Sequence, residues 1–124
     1  KVASGGEMSR IMLAVKAILA RYSKLPTLIF DEIDSGVSGE IANRMGEIMK
    51  EMSHEMQIFA ITHLPQIAAK GTAHFKVFKS TVGEGTQSEL KLLSGEERVV
   101  EIAQMLSGTV ISDSAINHAK ALLN

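Results

Sequence analysis

The sequence has 124 residues, of which 45% are hydrophobic and 4% aromatic, and it contains seven methionines. That content allows one domain with a modest aliphatic core and is too hydrophobic for a disordered chain. The net charge of −1 argues against tight nucleic-acid binding by this chain alone, and the absence of cysteine excludes disulfides and thiolate metal sites.

The first predicted element is a long amphipathic helix that follows the glycine pair of "KVASGGEMSR". Ser4 and Glu7 have the spacing of a capping box at its start. Apolar residues then recur at helical spacing, which predicts one buried stripe: Met8, Ile11, Met12, Val15, Ile18 and Leu19. Glycine pairs lower helix stability, so they indicate a tight helix entry or a backbone that closely approaches another group.

Two short apolar segments then predict strands buried on both faces, "TLIF" from Thr27 and "QIFAI" from Gln57. A turn with Ser38 as the N-cap leads into the helix between them. A short helix is predicted from Pro65 to Ala69. Buried strands joined by a helix predict an α/β fold with a parallel sheet flanked by helices.

The second half of the chain has a different pattern of apolar and polar residues. "HFKVFKS" and "SELKLL" alternate apolar and polar residues around the glycine-containing "TVGEGTQ", which predicts an antiparallel hairpin. Ser94 and Glu97 form a capping box for a further helix that Gly108 ends. "SDSAINHAKALLN" predicts a last amphipathic helix. No apolar run is long enough to cross a bilayer, so we expect no membrane partner.

Polar side chains follow both predicted parallel strands. Asp31 and Glu32 end the first strand, and Thr62 and His63 end the second. In open parallel sheets, ligands bind beyond the carboxyl ends of the strands. A carboxylate pair beside an imidazole is suited to nucleotide hydrolysis: Asp31 can hold Mg²⁺ through a water, Glu32 can activate the attacking water, and His63 can contact the terminal phosphate.

The order of these motifs resembles the ATP-binding cassette superfamily. "ASGGEMSR" is similar to its signature motif, "TLIFDEID" to the Walker B strand, "SGVS" after Asp34 to the D-loop, and "ITHLPQIA" to the switch-histidine segment. The residues of these motifs are similar to those of SMC-like ATPases of bacterial DNA repair. The resemblance implies that residues 1–124 form the C-terminal half of an ABC-type head, a partial P-loop NTPase fold.

The resemblance also implies residue roles. Asp31 would serve Mg²⁺, Glu32 would be the catalytic base and His63 the γ-phosphate sensor. The signature residues would bind, in trans, the ATP held by the opposite head of a dimer: Ser4, Gly5, Gly6 and Glu7. The D-loop would lie at the dimer seam: Asp34, Ser35, Gly36, Val37 and Ser38. Many family members end this loop with Asp, where this sequence has Ser38.

No G-x-x-x-x-G-K-[ST] segment occurs in the sequence, so the β- and γ-phosphates lack their usual cradle. We therefore expect the chain to be a segment of a longer protein, inactive alone, whose N-terminal Walker A lobe completes the head. The strand that starts at Thr27 would otherwise keep an unpaired edge, and such an edge recruits another chain.

The implied function is ATP-dependent head dimerisation in a double-strand-break repair ATPase, cytoplasmic and nucleoid-associated, with DNA bound by the full-length protein. Two alternatives share these motifs: the cassette of a transporter and a non-catalytic, nucleotide-dependent dimerisation module. The "THLPQIAA" segment disfavours the first, and Glu32 disfavours the second.

Overall fold

Five helices and four strands form the part of the chain that the structure, a computed structural model, describes, residues 5–124. A first unit ends at Lys70 and a second extends from Gly71 to Asn124. The first contains α1 (Gly5–Ser23), β1 (Thr27–Asp31), α2 (Gly39–Met52), β2 (Gln57–Ile61) and α3 (Pro65–Ala68). The second contains β3 (Phe75–Val82), β4 (Gly85–Leu92), α4 (Gly95–Ser107) and α5 (Asp113–Leu123).

The predicted parallel sheet is confirmed. Strands β1 and β2 pair in parallel, with Thr27 opposite Gln57 at one end and Asp31 opposite Ile61 at the other. Helix α2 makes the crossover between them, as expected for parallel neighbours. Both strands therefore end at the same edge of the sheet.

One face of this sheet packs on the core of the first unit. Phe30 is 1% exposed, and Leu28 and Ile58 pack beside it. The buried cluster around them draws on the flanking helices and the loop after β1: Leu13, Val37, Ala42, Met45, Met49 and Ile67. Residues 28 and 30 share a face because side chains alternate along a strand.

The prediction that both strands are buried on both faces is wrong in the described chain. Ile29, Phe59 and Ile61 on the other face are 54%, 47% and 53% exposed. The helices that pack on the sheet in this unit do so on the Phe30 face. The apolar runs thus include side chains that no described residue covers.

The predicted buried stripe of α1 is also wrong, although the helix itself is confirmed. Its buried residues are Ser9, Leu13 and Ala20. Lys16, next to this face, places Nζ 3.3 Å from the carbonyl oxygen of Ile29 and 5.7 Å from the centre of the Phe30 ring. The larger apolar side chains point away from the core and are exposed: Met8, Ile11, Met12, Val15, Ile18, Leu19 and Tyr22.

The other elements of the first unit start close to where the sequence predicts. Ser38 occupies the N-cap position of α2, but its side chain makes no capping hydrogen bond. Helix α3 begins at Pro65, as predicted, and ends one residue early, at Ala68. Gly46 of α2 lies against α3: a β-carbon there would be 3.2 Å from the carbonyl oxygen of Gln66. Glycine thus lets the two helices approach closely.

The second unit confirms the predicted hairpin and helices. Strands β3 and β4 pair antiparallel around a turn at Gly83 and Glu84, with Gly83 at φ +60°. Ser94 and Glu97 make both hydrogen bonds of the capping box, and Gly108 ends α4. Ion pairs join the hairpin to α4, one of them between Lys76 Nζ and Glu101 Oε2 at 2.7 Å. Within residues 5–124, no helix has the length and apolar content needed to cross a membrane.

Candidate functional site

The shared end of β1 and β2 brings the predicted polar residues to one edge. Asp31 is the last paired residue of β1, opposite Ile61. The backbone N–H of Glu32 donates to the carbonyl oxygen of Ile61 at 2.9 Å, which extends the pairing by one residue. Asp31 and Glu32 therefore leave the sheet beside the segment that carries Thr62 and His63.

The three side chains with predicted chemical roles, Asp31, Glu32 and His63, are exposed at this edge and accessible to a ligand. Glu32 has φ +52°, in the left-handed region that residues other than glycine seldom adopt. Its carbonyl oxygen accepts a hydrogen bond from Ser35 Oγ at 3.3 Å. Such strained positions occur often at functional sites, where surrounding contacts maintain them.

Asp34 differs from its exposed neighbours because it is only 1% exposed. Thr62 Oγ1 donates a hydrogen bond to Asp34 Oδ2. The backbone N–H of Leu64 in turn donates to Thr62 Oγ1 at 3.0 Å. The other oxygen, Asp34 Oδ1, is buried and has no hydrogen-bond partner among the described residues. The Asp34 carboxyl thus links the loop after β1 to the turn after β2.

The glycine pair at the start of α1 packs directly on the same loop. A β-carbon at Gly6 would lie 3.0 Å from the carbonyl oxygen of Gly36, and one at Gly36 would lie 2.9 Å from the Gly6 nitrogen. Gly36 also has φ +75°. The close backbone approach that the glycine pair predicts is therefore present, and it is made within the chain.

The Ser9 hydroxyl stabilises this contact between α1 and the loop. Its Oγ lies 2.8 Å from the carbonyl oxygen of Ser35 and 3.0 Å from that of Gly5. Ser35, Gly36 and Ser38 are exposed, whereas Asp34 and Val37 are buried. The start of α1 and residues 34–38 of the loop thus form one packed surface. Ser4 lies outside the described residues, and so does its part in the predicted capping box.

The contacts of two residues of this site, Ser9 and Thr62, were not predicted from the sequence. Thr62 was placed at the end of the second strand with His63, but its hydroxyl was given no role. Ser9 lies one turn after Gly5, where the helix spacing indicates only that it shares a face with Leu13. Both act through contacts with a loop more than twenty residues away in sequence.

Residues 5–124 contain no cluster of three or more His, Asp or Glu side chains that could hold a metal ion. Mg²⁺ commonly keeps several waters and takes only one or two protein carboxylates beside substrate phosphates. The exposed carboxylate of Asp31 at the sheet edge is compatible with that form of binding. The residues present therefore fit a magnesium ion held mainly by water and nucleotide.

Comparison with curated proteins finds similarity to DNA repair proteins named RecN. The chain is 42% identical over 124 residues to the DNA repair protein RecN of Haemophilus influenzae, covering 100% of this chain and 22% of that protein. It is 46% identical over 123 residues to RecN of Treponema pallidum, covering 99% of this chain and 22% of that protein. The chain is similar to a segment of these RecN proteins. It spans about a fifth of the length of these relatives, and it matches no protein-family model.

Solved structures similar to the chain include SMC heads. An Smc head domain with coiled coil and joint, derived from Pyrococcus yayanosii, has a TM-score of 0.70 at 26% identity, over 86% of this chain and 20% of that chain. An SmcHead bound to the C-winged helix domain of ScpA has a TM-score of 0.64 at 29% identity, over 76% of this chain and 28% of that chain. The predicted α/β fold of an ABC-type head fragment is thereby confirmed.

Proposed function

We propose that the chain forms part of an ATP-binding and ATP-hydrolysing head in a bacterial DNA double-strand-break repair protein. Hydrolysis would take place between two heads that associate when ATP is bound. The RecN relatives and the SMC heads support this class of protein. The single observation that carries the proposal is the parallel pairing of β1 and β2, which brings Asp31, Glu32 and His63 to one exposed edge.

The chemistry of these side chains suits phosphoryl transfer to water. Glu32 would accept a proton from the attacking water, and His63 would donate a hydrogen bond to the γ-phosphate. Asp31 would bind Mg²⁺ through a water, as the resemblance implies. When bound, the ion would neutralise charge on the phosphates. Phosphoryl transfer depends mainly on such positioning and charge stabilisation.

The signature residues would act on ATP held by the opposite head. The N-terminus of a helix offers free N–H groups and a favourable dipole to an anion. Of these residues, Gly5, Gly6 and Glu7 stand at the start of α1, where the glycine pair lies next to the exposed Ser35 and Gly36 of the D-loop. In our proposal this packed surface, with the D-loop from Asp34 to Ser38, lies at the seam between the heads.

The primary phosphate site would belong to the N-terminal Walker A lobe of the same protein, so the chain alone is proposed to be inactive. The exposed apolar side chains of α1 and of the outer sheet face support docking of such a lobe; Ile18 is 57% exposed and Ile29 is 54% exposed. DNA would be bound by the full-length protein, which we place in the cytoplasm at the nucleoid.

Replacement of Glu32 tests the proposal in the full-length protein. Glu32→Gln keeps the shape of the side chain but removes the base, so we expect turnover of ATP to fall by about 10² to 10⁴. ATP-dependent association of the heads should persist, because the nucleotide remains bound. ATPase rates and size-exclusion chromatography with light scattering measure the two properties.

Glu55→Gln is the matched control. Glu55 is exposed and precedes β2, at the opposite edge of the sheet from Glu32. The same chemical change there should leave turnover unchanged. Wild-type turnover in Glu32→Gln would contradict the proposal. ATP-dependent association with no turnover even in the wild type would instead favour a non-catalytic dimerisation module.

A further inference from the structure

We propose that Asp34 and Thr62 are positioning residues that hold Glu32 and His63 in a fixed relative geometry. The inference rests on the proposed function, because it concerns the same reaction. Neither side chain is argued to touch the nucleotide. Their role would be to connect the ends of β1 and β2 through a hydrogen-bonded bridge beyond the last backbone pairing.

The bridge joins the two segments that carry the reacting side chains. Asp34 lies two residues after Glu32, and Thr62 directly precedes His63. The Thr62 hydroxyl has one proton, which it donates to Asp34 Oδ2, and its lone pair accepts the N–H of Leu64 at 3.0 Å. Thr62 and Leu64, the residues before and after His63, are thus joined by a hydrogen bond. The Thr62 hydroxyl therefore fixes the backbone on both sides of His63.

Asp34 is buried, so its charge does not serve the solvent-exposed surface of the protein. It is 1% exposed, and Oδ1 has no hydrogen-bond partner among the described residues. Burying a carboxyl group that is only partly hydrogen-bonded is unfavourable. A buried apolar residue of similar size would avoid that cost but could not accept the proton of Thr62. The arrangement is therefore better explained by positioning than by stability.

The loop end of the bridge is itself held in place. The backbone N–H of Val37 donates to the carbonyl oxygen of Asp34 at 3.1 Å, and Ser9 Oγ lies 2.8 Å from the carbonyl oxygen of Ser35. Asp34 thus projects from a loop packed on α1, so the bridge gives the exposed His63 a fixed support on the protein side.

Substitution of Thr62 in the full-length protein tests the inference. Thr62→Val keeps the side-chain shape but removes both hydrogen bonds, and Thr62→Ser keeps both. A displacement of about 1 Å at a reacting group can lower a rate by about 10². We expect Thr62→Val to lower kcat by about 10- to 100-fold while KM for ATP and ATP-dependent head association stay unchanged. Thr62→Ser should stay within about twofold of wild type.

A double-mutant cycle shows whether the effect passes through Asp34. Asp34→Leu keeps a similar side-chain size and has no oxygen to accept the Thr62 proton. If the two residues act through one bridge, Asp34→Leu with Thr62→Val should lower kcat no further than the worse single variant. Full additivity, a wild-type kcat in Thr62→Val, or an equal loss of head association would overturn the inference.

Glu32→Gln, measured alongside, separates the two possible failures. Loss of turnover in Glu32→Gln with wild-type kcat in Thr62→Val refutes the bridge alone. Wild-type turnover in Glu32→Gln refutes the proposed function and the bridge with it. Loss of kcat in both variants, with Thr62→Ser active, supports both.

Discussion

Gly36→Ala is the substitution that most sharply tests the packing of α1 on residues 34–38, the proposed D-loop. Gly36 has φ +75°, and a β-carbon there would lie 2.9 Å from the Gly6 nitrogen and 3.1 Å from the Gly5 carbon. Both contacts are with backbone atoms, which cannot rotate away as a side chain can. The methyl group should therefore push the start of α1 off the loop.

Gly39→Ala provides a control for the conformational part of this effect. Gly39 has φ +58°, but nothing lies within 4 Å of its β-carbon position. The left-handed conformation alone costs about 1–2 kcal/mol for a residue other than glycine. Overpacking adds about 1–3 kcal/mol, which only Gly36→Ala should incur. The total for Gly36→Ala is therefore about 2–5 kcal/mol.

Hydrogen exchange followed by mass spectrometry can measure these local free energies in the full-length protein. In Gly36→Ala, peptides from the start of α1 and from the D-loop should exchange about 5- to 150-fold faster than the same peptides in Gly39→Ala, which corresponds to the overpacking part. Peptides from β3 and β4 should exchange at the wild-type rate in both. Equal exchange at the α1 start in the two variants would refute the close contact between Gly36 and the glycine pair.

Two further predictions concern the second unit. Ser94→Ala removes the capping box of α4 and should lower the local stability of that helix by about 1 kcal/mol, whereas Ser94→Gly should cost only a few tenths; hydrogen exchange of α4 distinguishes them. Burial lowers the pKa of His74 from 6.5, and so do the positive charges of Arg98 and Lys76. The negative charge of Glu101 raises it. Because the unfolded chain binds the proton more readily, the stability of this unit should be complete above pH 6.5 and fall as the pH drops below it. His74→Gln should remove that loss of stability below about pH 6.5 in thermal unfolding, and an unchanged pH dependence would contradict the assignment.

The elements of the fold could be predicted because their signals are local. The capping box of Ser94 and Glu97 fixes the start of α4 by contacts three residues apart. The parallel pairing follows from two short apolar strands joined by a helix. Burial was less predictable. Ile18 and Ile29 have the patterns of core residues but are exposed, and no described residue covers them.

The sequence could predict the exposed side chains of the candidate site, but not the contacts that hold them in place. Asp31, Glu32 and His63 end strands, and topology alone places such residues at one edge. The contacts of Ser9 with Ser35 and of Thr62 with Asp34 depend on how the D-loop folds back. That conformation relies on positive φ at Glu32 and Gly36, and no periodic pattern in the sequence reports it.

The central claim is that ATP is hydrolysed at the edge where β1 and β2 end. The most direct measurement is the structure of the full-length Glu32→Gln protein with ATP and Mg²⁺. Our account predicts the γ-phosphate within hydrogen-bond reach of His63 on one head and of the backbone N–H groups of Gly5 and Gly6 on the opposite head. A γ-phosphate bound away from this edge, or enclosed by a single head, would contradict it.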